Sequence, residues 1–339
     1  MIITRTPMRI GLFGGGTDLP AYCDRHIGAV VNATVDKYVY ITLHEHFDRQ
    51  VRCAYSELET VPTAAELRHT RARACLEFMG VETGVEVTSV ADVPAGSGLG
   101  ASSAYTVGLL HALRQREFDK TGERRITALA QAASHIEIDL LGEPVGRQDQ
   151  HAAAAGGLNL WLFGANGKVQ RIAGCDDVLE RLGDHLSLYW TGGTRSASEL
   201  LAEQSRATRE DKRVEDALTE MADLALTGWH YLERGDFEGA AAALNLSWLI
   251  KRELTPSIET GEMISAHQAA LKAGAWAGKV CGAGGGGFFL VMHPPDYSEP
   301  KAVIPKLDKA MAPWRRVPFK LTSVGSEIVY DDNGRMEGC

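Results

Sequence analysis

The chain has 339 residues, 45% of them apolar and 23% charged, and a formal charge of −9 at pH 7. That length supports two domains or one large one. The acidic balance argues against nucleic-acid or anionic-membrane partners, since either would favour a basic face.

No run reaches the ~18 apolar residues needed to span a bilayer, and no signal-peptide pattern opens the chain. The six cysteines (Cys23, Cys53, Cys75, Cys175, Cys281, Cys339) are scattered, with no C-x-x-C pair. Neither a zinc site nor a disulfide framework is suggested. A soluble protein of the reducing cytoplasm is expected.

In chain order, Ile2–Thr6 and Arg9–Phe13 read as short strands, and Phe13-Gly-Gly-Gly-Thr-Asp18 breaks the second. Gly28–Thr34 and Tyr38–Glu45 form a β-rich pair joined by a Val-Asp-Lys turn, and Val51–Tyr55 adds another strand. Ala64–Met79 has a helical pattern whose Arg68, Arg71 and Arg73 read as a solvated face. Val85–Val90 alternates as a half-buried strand, and Ser102–Leu113 is an apolar run of helical length.

Ile126–Leu141 has helical spacing and stops at Gly142. Gly157–Phe163 and Leu186–Thr191 read as strands on either side of a composition shift near residue 170. Three or four helical patterns fill residues 196–273. The strands Ala277–Cys281 and Phe288–Met292 follow, separated by Gly282-Ala-Gly-Gly-Gly-Gly287, and a helix over Lys301–Met311 and two short strands close the chain. His44 and His46 alternate on a strand and have no third ligand nearby.

The stretch Val93-Pro-Ala-Gly-Ser-Gly-Leu-Gly-Ala-Ser-Ser-Ala104, between strand and helix, reads as a phosphate cradle. Pro94, Gly96, Ser97, Gly98, Leu99, Gly100, Ala101, Ser102 and Ser103 make up this stretch, whose other reading is an ordinary glycine loop ending in a serine helix cap and which the resemblance given below makes the nucleotide-binding set. Glycines let the backbone approach an anion, and free amides and the helix dipole meet at its first turn. A serine hydroxyl there can also bind Mg²⁺. A Walker loop needs a lysine where Ala101 stands, and a Rossmann fingerprint needs its third glycine one residue later, so neither fits well.

Three further segments join the cradle: Pro7-Met-Arg9 leading into the first glycine turn, Gly142-Glu-Pro-Val-Gly-Arg-Gln-Asp-Gln150, and the late run at Gly282. In this order and spacing they resemble the GHMP kinases, which include galactokinase, homoserine kinase, mevalonate kinase and phosphomevalonate kinase. The likeness spans nearly the whole chain.

Within the superfamily, four stretches are most similar to the D-glycero-D-manno-heptose 7-phosphate kinases, with L-fucokinase types nearby. They are Arg5–Pro20, Gly98–Ser103, Pro144–Gln150 and Trp190-Thr-Gly-Gly-Thr-Arg195. The resemblance implies an α+β fold of two domains. Residues 1–175 would be ribosomal-protein-S5-domain-2-like, carrying nucleotide binding and catalysis. Residues 176–339 would be a ferredoxin-like, helix-rich domain completing the substrate site.

The resemblance implies a kinase using ATP and Mg²⁺ to phosphorylate the anomeric hydroxyl of a sugar phosphate, with a homodimer left open. It makes Asp149 the carboxylate facing the attacking hydroxyl and Arg9 its cationic partner. A carboxylate beside a guanidinium stays ionised and orients a hydroxyl better than it takes the proton. Ser103 and Glu137 become the metal ligands. Gly15, Gly16, Thr17, Asp18, Arg195, Gly284 and Gly285 become the substrate contacts.

Arg195 is the favoured partner for the distal phosphate; Lys251 and Arg252 are also candidates, but surface helix charge is the preferred reading for both. Galactokinase and mevalonate kinase carry Gly-Glu where this chain has Gly14-Gly15, which removes a charge that would repel a phosphorylated sugar. The late glycine run is expected against the cradle. Three alternatives stay open on the sequence: a kinase of unphosphorylated sugar or isoprenoid precursor, an NAD-linked oxidoreductase, and a nonenzymatic sensor of the same fold.

Overall fold

A computed structural model describes residues 1–114, 123–192, 197–254, 258, 260–296 and 303–332. Strand β1 (Ile2–Phe13) and strand β2 (Gly28–Glu45) pair antiparallel along almost their full lengths. β3 (Val51–Ala54), β4 (Leu58–Val61) and β5 (Val85–Ala91) extend the sheet beside the second half of β2. β6 (Leu158–Phe163) and β7 (Val169–Ala173) extend it beside the first half.

A second, four-stranded sheet contains β8 (Leu186–Trp190), β9 (Ala277–Val280), β10 (Phe288–Met292) and β11 (Arg315–Val317), in the order β11-β8-β10-β9. The last strand, β12 (Glu327–Asp331), returns to the first sheet and pairs antiparallel with β1.

The structure joins what the sequence split. Residues 35–37 are a bulge inside β2, because the register against β1 jumps between Pro7↔Tyr38 and Met8↔Val35. Asp36 is held from outside the strand: its amide donates to Lys320 O, and Lys320 N donates to its Oδ1 at 2.8 Å. Polar side chains that would suit a turn thus find partners across the chain, and β2 runs on.

Ala64–Glu66 is one 3₁₀ turn, and the helix begins later. α1 (Pro20–Cys23) is a single turn, whereas α2 (Thr70–Phe78) starts where the His69 ring accepts from Ala72 N at 3.1 Å.

α3 (Ala101–Leu113) is buried from Ser103 to Ala112 and lies across β1 and β2. Gly108 permits this crossing. A Cβ there would stand 2.8 Å from Thr6 Oγ1, and Thr4 Oγ1 donates to Gly108 O at 3.0 Å.

α4 (Glu123–Ser134) passes into a π-helical stretch at His135–Leu140, and α5 (Gln148–Ala155) packs on both α4 and α3. α6 (Asp176–Gly183) precedes β8. α7 (Ala197–Glu210), α8 (Lys212–Glu233), α9 (Phe237–Leu254) and α10 (Gly261–Lys272) form the helix-rich part, and α11 (Val303–Ala310) packs on α10. Among the described residues no helix is long and apolar enough to cross a membrane.

Candidate active site

The mouth of α3 opens into a cleft of about 300 Å³ lined by residues of β1, the first glycine turn, the cradle, the Gly142–Gln150 segment and the start of the late glycine run. Gly100 caps the helix at φ 76°, and Gly98 turns at φ 85°, both in the left-handed region where a side chain would strain the backbone. Space is equally tight. A Cβ on Gly98 would stand 2.7 Å from Cys281 O, and one on Gly100 would stand 3.1 Å from Asp149 Oδ2. The first helical bond runs from Ala104 N to Gly100 O, so the amides before it have no helical acceptor and face the cleft end of the dipole.

Arg9 and Asp149 form a two-pronged ion pair at this mouth. Arg9 Nε donates to Asp149 Oδ1 and Nη2 to Oδ2, both at 2.7 Å, while Nη1 donates to Gly98 O at 2.7 Å. Arg9 is 6% exposed, and its backbone amide is fixed to Leu99 O. One guanidinium therefore ties β1, the cradle and α5 together, and Asp149 lines the cleft beside it.

Behind Ser103 lies Glu137, fully buried on the π-helical turn. Its carboxylate accepts from Ser103 Oγ at 2.8 Å, Thr106 Oγ1 at 2.6 Å and Gln150 Nε2 at 2.6 Å. Such turns widen a helix locally and recur at functional sites. Arg71 lines the same end of the cleft, 3.8 Å from Glu137 and paired with Glu143.

The other end is built on the first glycine turn. Asp18 is buried; its carboxylate accepts from Gly16 N at 3.1 Å, Gln148 N at 3.1 Å and Gln148 Nε2 at 2.9 Å. Burial pushes this carboxyl up, against those backbone donors, and the charge of Asp149 adds to the rise.

Two buried lysines complete the wall. Lys251 Nζ donates to Gly282 O at 2.9 Å, and Lys279 Nζ to Gly11 O and Leu12 O at 2.9 and 3.0 Å. Among the described residues neither forms an ion pair with a carboxylate. Burial lowers Lys251 to about 8 and Lys279 to about 7.

The family model for the GHMP kinase N-terminal domain matches residues 64–157, and that for the GHMP kinase C-terminal region matches residues 230–312. The D-glycero-alpha-D-manno-heptose 7-phosphate kinase of Campylobacter jejuni is 31% identical over 310 residues, covering 87% of this chain and 90% of that protein. The chain belongs to the GHMP kinases.

Solved structures agree. A D-glycero-D-manno-heptose 1-phosphate kinase from Bacteroides thetaiotaomicron is 25% identical with TM-score 0.76, covering 98% of this kinase and 100% of that chain. Phosphomevalonate kinase of Streptococcus pneumoniae shares the fold at TM-score 0.76 and 13% identity, covering 95% of this kinase and 100% of that chain. The expected GHMP kinase fold is thus the observed one, and the protein is a phosphotransferase.

Within this kinase the predicted residues divide. Arg9, Gly15, Gly16, Asp18, Gly96, Gly98, Gly100, Ala101, Ser102, Ser103 and Asp149 line one cleft, with Glu137 directly behind Ser103. Thr17 does not line it: its hydroxyl is buried and bonded to Gly14 O and to Ala29 O and N. Pro94 is exposed outside the cleft, while Ser97 and Leu99 are buried beneath the cradle.

The late glycine run does pack on the cradle, through Phe288 N to Ser97 O at 3.1 Å and Gly282 against Gly98. Its cleft residues, however, are Gly282 and Ala283. Gly284 and Gly285 instead pack on Ile258, with Gly285 N donating to Ile258 O at 2.9 Å. Arg195 lies outside the described residues.

Two cations were misread. Arg71 is no solvated residue but a cleft wall, and Lys251 is no surface charge but is 5% exposed within the site. Lys279 and Gln204 were not singled out at all. A signal existed for Lys251: it continues the three-and-four spacing of Leu244, Ser247 and Trp248 on the buried face of α9. Its charge hid that register.

Proposed function

We propose that this GHMP kinase transfers the γ-phosphoryl group of ATP to the anomeric hydroxyl of a sugar phosphate. A heptose 7-phosphate that becomes the 1,7-bisphosphate is the acceptor we favour. The Arg9–Asp149 fork at the mouth of α3, facing the same cleft as Lys251, carries this reading. A nucleotide's phosphates suit the cradle amides. Asp149 accepts from the sugar hydroxyl and holds its oxygen in line with the γ-phosphorus.

The new O–P bond forms as the bond to the bridging oxygen of ADP breaks. In so loose a transition state the hydroxyl proton is lost late, and alignment and charge neutralisation count for more than deprotonation. Arg9 holds Asp149 in place for that task through both carboxylate oxygens.

Mg²⁺ suits the Ser103 and Glu137 pair. Among the described residues no group of three or more His, Cys, Asp or Glu gathers as a metal site. Mg²⁺ needs fewer, taking one or two protein oxygens plus phosphates and water. Ser103 Oγ and Glu137 Oε2, hydrogen-bonded at 2.8 Å, are the oxygen donors that would hold it. When bound, the cation would neutralise phosphate charge.

The distal phosphate suits Lys251, whose Nζ lies 3.7 Å from the place a Gly15 Cβ would occupy. Lys279 adds charge behind it. The likeness to the Campylobacter enzyme supports a heptose phosphate, whereas a fucose- or galactose-type acceptor would leave these ammonium groups without an anion. We further propose residues 1–175 as the nucleotide and catalytic part, residues 176–339 as the part closing the acceptor site, and a cytoplasmic setting.

An ADP-release screen of sugars and sugar phosphates, with the product position read by phosphorus NMR, tests the assignment. A new anomeric phosphate on a phosphorylated sugar is expected. Transfer only to unphosphorylated sugars or to an isoprenoid alcohol would overturn it. In the same assay Asp149→Asn is expected to lower kcat about 10²-fold or more, and an unchanged kcat would remove that residue from the mechanism.

A further inference from the structure

Ser198, Leu201 and Gln204, three apart along α7, all line the cleft. Gln204 is 3% exposed, and among the described residues its side-chain Nε2 has no hydrogen-bond partner. It points at the first glycine turn: a Cβ built on Gly16 would fall 2.3 Å from Nε2.

The Asp18 carboxylate does not accept from it. Gly16 N is bonded to Asp18, and the Asp18 carboxylate draws its side-chain donor from Gln148. A buried amide left without an acceptor is unfavourable, and a ligand oxygen at that place relieves it.

The position matters as much as the vacancy of the bond. Gly15 is flanked by Lys251 Nζ and Gln148 Nε2, each 3.7 Å from its Cβ place, and the next residue, Gly16, is met by Gln204. Lys251 and Gln204 both line the cleft, so a molecule seated there beside Gly15 and Gly16 has a cation and a neutral amide donor within its walls. That pairing matches an acceptor with an anionic group and a hydroxyl.

We infer that Gln204 is a specificity-determining residue, whose Nε2 donates to a hydroxyl oxygen of the acceptor and so separates it from the matching deoxy compound. This rests on the sugar-phosphate reading above. Sites that hydrogen-bond a substrate hydroxyl reject analogues lacking it, because the protein's own polar group is then left unpaired.

The test crosses Gln204→Met, similar in length but without a donor, with a set of monodeoxy acceptors. In the native enzyme one deoxy position is expected to lower kcat/KM about tenfold or more. In Gln204→Met, the KM for the full acceptor should rise about tenfold, the KM for ATP should stay unchanged, and that deoxy penalty should vanish. A penalty that persists for every deoxy position, or a parallel change in the KM for ATP, overturns the inference.

Native enzyme that phosphorylates no sugar phosphate removes the parent reading. A native enzyme active on one, with Gln204→Met showing the same deoxy penalties, removes only Gln204. If Gln204→Met loses its cooperative melt, Gln204→Asn, an amide one methylene shorter, takes its place. The same collapse of a single deoxy penalty is then expected, and its absence counts against the inference.

Discussion

Gly15 shows how a missing side chain can define a site. A glutamate there would place its Cβ 3.7 Å from both Lys251 Nζ and Gln148 Nε2, and its carboxylate would pair with the lysine. Gly15→Glu is therefore expected to raise the KM for the sugar phosphate at least tenfold while changing that for ATP less than twofold; equal effects would contradict it.

The lysines also set a pH window. Lys251 faces Asp18, Asp149, Arg9 and Cys281, and Lys279 faces Lys251, Arg9 and Cys281, yet burial is the largest influence on each. An ammonium attracts a phosphate only while protonated. Since burial lowers them to about 8 and about 7, the KM for the sugar phosphate should rise as pH climbs from 7 to 9. A KM flat over that range would show that the lysines do not meet the phosphate.

These residues were unequally legible. Arg9, Asp149 and the cradle could be read because glycine spacing and motif order show in one dimension. Burial of a lysine or glutamine shows only as register on an apolar helix face, where charge argues the opposite.

At the scale of elements, the cleft depends on how closely α3 approaches β1. Thr6 Oγ1, which a Cβ on Gly108 would meet at 2.8 Å, cannot easily yield. Its hydroxyl bonds Ser326 Oγ at 2.8 Å, which bonds His111 Nδ1 at 2.9 Å, all within the core. Alanine at 108 improves helix propensity by up to about 1 kcal/mol but overpacks this contact by about 1–3 kcal/mol. A net loss of about 1 kcal/mol is expected for Gly108→Ala in urea unfolding, and a stabilised variant would show that α3 has room to move.

The strands and helices themselves were mostly readable from periodicity. Several were not, β4, β7, α5 and α6 among them, and two of the differences have a clear physical reason. The bulge at Asp36 looks like a turn because its partner, Lys320, lies 284 residues away. The start of α2 looks too early because Ala64–Glu66 has helical composition but closes only a 3₁₀ turn.

At the scale of the molecule, the cleft draws on distant parts of the chain. Arg9 and Gly15 come from its beginning, Asp149 from the middle, and Lys251 and Lys279 from the helix-rich half, while β12 returns to seal the first sheet against β1. Motif order raises the expectation that these segments meet, and residues of each line one cleft. It did not show which late residues arrive, because Gly284, Gly285 and Lys251 differ only in where α9 and the turn after β9 place them.

The central claim is that one end of this cleft takes ATP at the α3 mouth while the other grips a phosphorylated acceptor. The direct measurement is kcat/KM for a sugar phosphate and for the same sugar without its phosphate, in the native enzyme and in Lys251→Met. The native enzyme should favour the phosphorylated form by about 10²-fold or more, and Lys251→Met should remove at least tenfold of that preference with the KM for ATP unchanged. A native enzyme indifferent to the phosphate would contradict the account.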